Sequence, residues 1–133
     1  MRHWPETYRN LAIWTLQGWL AMFFLAAGYA KLTEPMNMLV ILLSWPAQVS
    51  LEMVRALGAV EVLLAIAVVA PLFSRSLGRP VLVLASMLML TLETTMLVIH
   101  VAYFDWGHVA TNVGLILITA PVFMQRTREA APN

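Results

Sequence analysis

The stretch LEMVRALGAVEVLLAIAVVAPLF, residues 51–73, decides the fold. It is long enough to cross a bilayer, since about 20 residues at 1.5 Å each cover a ~30 Å hydrocarbon core. Yet Glu61 lies inside it and is the only charge from Leu57 to Phe73. An ionisable group at membrane depth costs several kcal/mol unless it is paired, protonated or hydrated. Helical spacing puts Gly58, Glu61, Ala65 and Val68 on one face, and small residues there let a second helix approach closely. Glu61 is therefore expected to point into a helical bundle, with Leu64 toward lipid.

Composition supports this reading. Of 133 residues, 61% are hydrophobic and 11% charged, against roughly 25% charged in soluble domains. The excess lies in four long apolar runs. The expected protein is a single integral membrane domain, residues 1–133. Its expected fold is all-α, a four-helix transmembrane bundle with spans at about 11–31, 54–73, 80–102 and 108–124. Residues 36–43 are apolar but half a span in length, and Pro35 and Trp45-Pro46 bound them. They are expected to form a short interfacial helix between the first two spans, at the membrane surface or capping the bundle. The polar stretch SRSLGR, residues 74–79, and YFDWG, residues 103–107, read as turns. A cleaved signal peptide is the alternative for the first run, which exceeds the usual ~7–15 apolar residues.

The net charge is +1 and the basic residues sit at helix ends, so membrane lipid is an expected partner and nucleic acid is not. The absence of cysteine removes disulfides, thiolate metal sites and thiol redox chemistry. The N-terminal tail (Arg2, Arg9), the 74–79 turn (Arg75, Arg79) and the C-terminal tail (Arg126, Arg128) carry two arginines each. Four spans put all three on one side, opposite Lys31 and Arg55. The positive-inside rule then makes both termini cytoplasmic in a multi-pass protein of a bacterial cytoplasmic (inner) membrane.

Each run carries a stripe at helical spacing: Gln17, Ala21, Phe24, Gly28 and Lys31; Gly58, Glu61 and Ala65; Ser86, Leu90, Glu93, Leu97 and His100; His108, Asn112, Leu115 and Thr119. From the rise per residue, Glu61 lies roughly 10 Å and Glu93 roughly 12 Å from the outer end, with Asn112 about 6 Å in. Lys31 and His100 lie near the outer rim. The stripes should meet in the outer half of the bundle. Two carboxylates at one depth repel when both are ionised, so one is expected to hold a proton and the other to face Lys31.

Plainer readings exist for each residue. Lys31 can be a snorkelling anchor. Glu52 and Arg55 suggest a surface ion pair, and His100 a helix-end cap. Gln17 and Asn112 can be interhelical hydrogen-bond partners. Asp105 and His108 read as ordinary loop residues, and the nine methionines as packing and not a copper path. His100 is the one histidine within a span, so no haem with two axial histidines is expected in this chain, and no metal.

LQGWLAMFFLAAGYAKL, residues 16–32, and VRALGAVEVLLAIAVVAPL, residues 54–72, together resemble the DoxX and DoxX-like family of small four-helix membrane proteins. The matching features are AGxxKL, with Gly28 and Lys31, and LGxxE, with Gly58 and Glu61. The resemblance implies a link to membrane oxidoreductases. One branch resembles the small subunit of a thiosulfate:quinone oxidoreductase, and others are partners of redox enzymes in membrane complexes. The lack of cysteine argues against direct sulfur chemistry here.

The expected function is a subunit of a quinone-linked oxidoreductase, alongside other membrane or redox subunits. Glu61 and Glu93 would be the catalytic acid–base groups. Lys31, His100 and Asn112 would line the cofactor pocket, and a quinone is the expected cofactor. The alternative is a non-catalytic assembly subunit of a larger membrane complex. A transporter is the weaker third reading, since no inverted repeat is evident.

Overall fold

Helices supply all the regular secondary structure in the computed structural model, which describes residues 4–131. Helix α1 spans Trp4–Thr33, α2 Met36–Leu43, α3 Leu51–Val68, α4 Arg75–Ala102 and α5 Trp106–Ala130. Three of them, α1, α4 and α5, are long and apolar enough to cross a membrane. Helix α3 is shorter, 18 residues or roughly 27 Å, and carries Glu52, Arg55 and Glu61.

Local chemistry sets the boundaries. Pro35 precedes α2, as expected from its fixed φ and missing N–H. Ser44 ends it with φ at +64°, and a 3-10 turn, Trp45–Gln48, follows. Ser50 caps α3 by accepting from the Met53 N–H at 3.3 Å. The helix stops at Val68, five residues before the end expected from hydropathy. Pro71 cannot continue it, and Ala70–Leu72 turns as a 3-10 helix.

The SRSLGR stretch is mostly helix and not a turn. The Ser74 side chain accepts from the Leu77 N–H, and α4 starts at Arg75. A Cβ on Gly78 would lie 2.5 Å from Pro71 Cα, so this glycine lets α4 seat against the turn. At the termini the helices run past the expected spans. Arg9, Arg126 and Arg128 are helical, and Arg2 lies outside the described residues.

Polar side chains are buried while large apolar ones cover the outside. Gln17, Lys31, Glu61, Ser86, Glu93, His100, Asn112 and Thr119 are buried, while Trp19, Met22, Leu63, Val98 and Leu117 are each more than 60% exposed. A soluble protein does not spread so much large apolar surface over its outside, whereas hydrocarbon solvates it. Together with the three long apolar helices, this marks a membrane protein. An apolar layer formed by Leu20, Phe24, Leu64, Val68, Leu82 and Met89 lies at the centre. Leu64 is thus buried at 6% exposure and does not face lipid. Both α1 and α4 pack on α3, which widens its buried arc.

The closest seam joins α1 and α3. A Cβ on Gly28 would lie 2.7 Å from the Gly58 carbonyl oxygen, and one on Gly58 would lie 2.9 Å from the Gly28 carbonyl oxygen. The two backbones touch there. Gly18, also in α1, has nothing within 4 Å of such a Cβ. Gly28→Ala and Gly58→Ala should each cost about 1–3 kcal/mol through overpacking, while Gly18→Ala should be neutral or stabilising by up to ~1 kcal/mol. Unfolding of the three variants in detergent measures this; equal behaviour would contradict the seam.

Candidate functional site

The α1–α3 seam places two charges face to face. One turn from Gly28, Lys31 projects from α1; one turn from Gly58, Glu61 projects from α3. Lys31 Nζ lies 2.9 Å from Glu61 Oε1 and 2.7 Å from Oε2. Both residues are buried, with side chains 5% and 9% exposed. Lys31 is therefore an interior ion-pair partner and not a snorkelling anchor. Removing either partner would strand the other charge.

Arg55 closes the end of this seam nearest α2. Its guanidinium donates to the Lys31 carbonyl and, at 2.7 Å, to the Glu34 carbonyl. These carbonyls lie in and just beyond the last turn of α1, where helical partners run out. The ion pair expected between Glu52 and Arg55 is not formed among the described residues.

Glu93 approaches from α4. Thr119 Oγ1 on α5 lies 2.7 Å from its Oε1 and 2.9 Å from the Leu115 carbonyl, and its single hydrogen is donated to one of these acceptors at a time. The second oxygen, Oε2, is buried and has no hydrogen-bond partner. Such orphaned acceptors are rare and call for an explanation.

The turn between α4 and α5 adds a third group. Asp105 Oδ2 lies 2.7 Å from His108 Nδ1 and 3.3 Å from His100 Nδ1. The two imidazoles stack, centroids 4.8 Å apart and planes 14° apart. His108 Nε2 meets the Leu42 carbonyl at 2.9 Å, tying α5 to α2. Both ring nitrogens of His108 thus face acceptors, which the doubly protonated ring satisfies. The hydrogen bond from His108 holds Asp105 below the usual carboxylate range. Ligand atoms of these three residues lie within 4.8 Å of one another. Their contacts form a clamp: both imidazole Nδ1 atoms meet the same Asp105 oxygen.

Lys31, Glu61, Glu93, His100 and Asn112, all singled out from the sequence, line one cavity of about 90 Å³. Leu43 and Trp45, from the segment between α1 and α3, complete its rim along with His108. Asn112 donates to the His108 carbonyl in its own helix at 2.8 Å, so it does not join helices. Gln17 does, as expected: it donates to the Val68 carbonyl at 3.1 Å and accepts from Arg126. His108 and Asp105, read as loop residues, belong to the site. His100 and His108 lie eight positions apart across a tight turn, and Asp105–His108 has N-cap spacing; those were the available signals.

The sequence profile of the DoxX-like family matches residues 15–122. No curated protein and no solved structure matches the chain significantly.

A carboxylate held below its ordinary value adds stability that is complete above that value and is lost as pH falls. For Asp105 the ordinary value is 3.8. The melting temperature in detergent should therefore fall from about pH 5 downward, through 3.8 and on through the depressed folded value, and Asp105→Asn should flatten part of that acid limb. An acid limb unchanged by Asp105→Asn would show that the clamp contributes nothing.

Proposed function

The chain belongs to the DoxX-like family, and we propose that it is a small membrane subunit associated with a quinone-linked oxidoreductase, in which its own part is to move protons. In this reading α3 is a fourth span beside α1, α4 and α5, and the four form a transmembrane bundle. Helix α2 lies at the outer interface. The arginines support an orientation with both termini in the cytoplasm of a bacterial cell and the Glu61–Glu93 cavity in the outer half of the inner membrane.

The observation that carries the proposal is the buried, unpartnered Oε2 of Glu93, a residue that lines the same cavity as the buried Lys31–Glu61 pair. Ionisable groups inside membrane proteins are commonly proton carriers. The cavity volume is about 90 Å³, room for about three waters and well under the roughly 300 Å³ of ordinary ligand sites. We therefore place the quinone with a partner subunit.

Within this chain, Glu93 has the freedom to take up and release a proton at Oε2 while Thr119 holds Oε1. The Lys31–Glu61 pair lines the neighbouring cavity and makes it polar enough to hold water. His100, at the same cavity and in reach of Asp105, is the next group toward the turn. The second reading, a purely assembling subunit, draws on the Lys31–Glu61 pair as a structural lock.

Glu93→Gln separates the two readings, because it keeps the Thr119 hydrogen bond and removes the exchangeable proton. The tagged chain is isolated from its native membranes in mild detergent with its partners, and reduction of a short-chain ubiquinone analogue is measured per assembled complex. Turnover should fall about 10²–10⁴-fold, the usual worth of a general acid–base group, with assembly unchanged. Normal turnover in a normally assembled Glu93→Gln complex would end the proton-transfer reading and leave the assembly role.

A further inference from the structure

A second cavity lies at the opposite end of the helices, where α1 begins and α5 ends. Its volume is about 400 Å³, and Trp14, Arg75, Arg79 and Arg126 line it with Asn10 and Glu129. That volume is within the usual range for ligand sites. Three arginines face one carboxylate there. Glu129 is already engaged, accepting from Arg126 Nη1 at 2.7 Å and from Gln125 Nε2 at 3.0 Å.

Arg126 is built into the wall. Its side chain is 10% exposed, and its guanidinium carbon lies 5.3 Å from the centre of the Trp14 ring. Nε donates to Gln17 Oε1 at 2.8 Å and Nη1 to Asn10 Oδ1 at 3.2 Å. Nη2 is buried with no partner. Arg75 and Arg79, one turn apart on α4, make no hydrogen bond or ion pair among the described residues. A nearly buried guanidinium with an unspent donor, beside Arg75 and beside Arg79, whose charge also acts on Glu129, leaves three cations facing one carboxylate, a site short of an anion. Planar guanidinium forks match phosphate oxygens. Leu72, Phe73 and Leu77, next to the lining residues in the chain, are 68%, 82% and 72% exposed, a surface suited to acyl chains.

We propose that this cavity binds a phosphate group, supplied by the headgroup of an anionic phospholipid. Basic pockets between helices on the cytoplasmic side are suited to such headgroups. The site is separate from the proton-transfer proposal and stands without it.

Delipidated full-length protein in detergent tests it by native mass spectrometry with phosphatidylglycerol or phosphatidylcholine, and with inorganic phosphate as competitor. Phosphatidylglycerol should bind in preference. R75Q/R79Q should weaken it about 25-fold, from ~1 kcal/mol or about fivefold per arginine. R9Q/R128Q, the same charge change outside the cavity, should weaken it no more than about twofold, as expected for diffuse surface charge. If R75Q/R79Q does not fold, R75Q and R79Q singly should each show the fivefold loss. Protection from thermal unfolding by inorganic phosphate in the wild type but not in R75Q/R79Q, without lipid preference, would keep the site and make its ligand a free phosphate. Binding of lipid and phosphate that is unchanged in these variants, or lost equally in R9Q/R128Q, would overturn it.

Discussion

The structure depends on keeping two opposite charges out of lipid and against each other. Glu61 in isolation inside an apolar helix is costly, and so is Lys31. They become tolerable together only if α1 and α3 come close enough for direct contact and no solvent gap remains. Gly28 and Gly58 supply that closeness, one turn from each charge, by bringing backbone against backbone. The Arg55 guanidinium then ties off the end of α1 above the pair. The AGxxKL and LGxxE motifs therefore have a physical meaning: each joins a close-approach residue to a charge that needs the approach.

That seam orders the remaining helices. With α1 and α3 fixed, α4 and α5 close the other side, and Glu93 and Thr119 meet across them. The outcome is one polar cavity toward the α2 end and one arginine-lined cavity toward the termini, separated by an apolar layer around Leu20, Val68 and Met89. In the proposed orientation the two cavities serve opposite faces of the membrane. The first holds the buried carboxyls of Glu61 and Glu93, and the second the guanidinium groups of Arg75, Arg79 and Arg126. Their chemistries do not overlap.

Much of this was legible in the sequence. Helical periodicity put Gln17, Glu61, Glu93, Asn112 and Thr119 on inward stripes, and all are buried. The short helix at residues 36–43 followed from its prolines. What escaped was information carried by single residues against the hydropathy trend. Pro71 cuts α3 short inside an apolar run, and Ser74 starts α4 within a stretch that looks like a turn. Leu64 turned inward because two helices flank α3, which one helix's periodicity cannot reveal. Asp105 and His108 were missed because their partners, His100 and Leu42, come from other segments. Arg126 looked like a tail residue because a polar sequence can extend a helix beyond the membrane.

Lys31 and Glu61 form a buried, mutually dependent pair. A double-mutant cycle with Lys31→Met and Glu61→Leu, read by unfolding in mixed detergent micelles, tests it most directly. Each single change strands a charge and should cost about 3–5 kcal/mol, while the double change removes both charges at similar volume and should return to within about 1 kcal/mol of the starting protein. Single costs that simply add in the double variant would contradict the account.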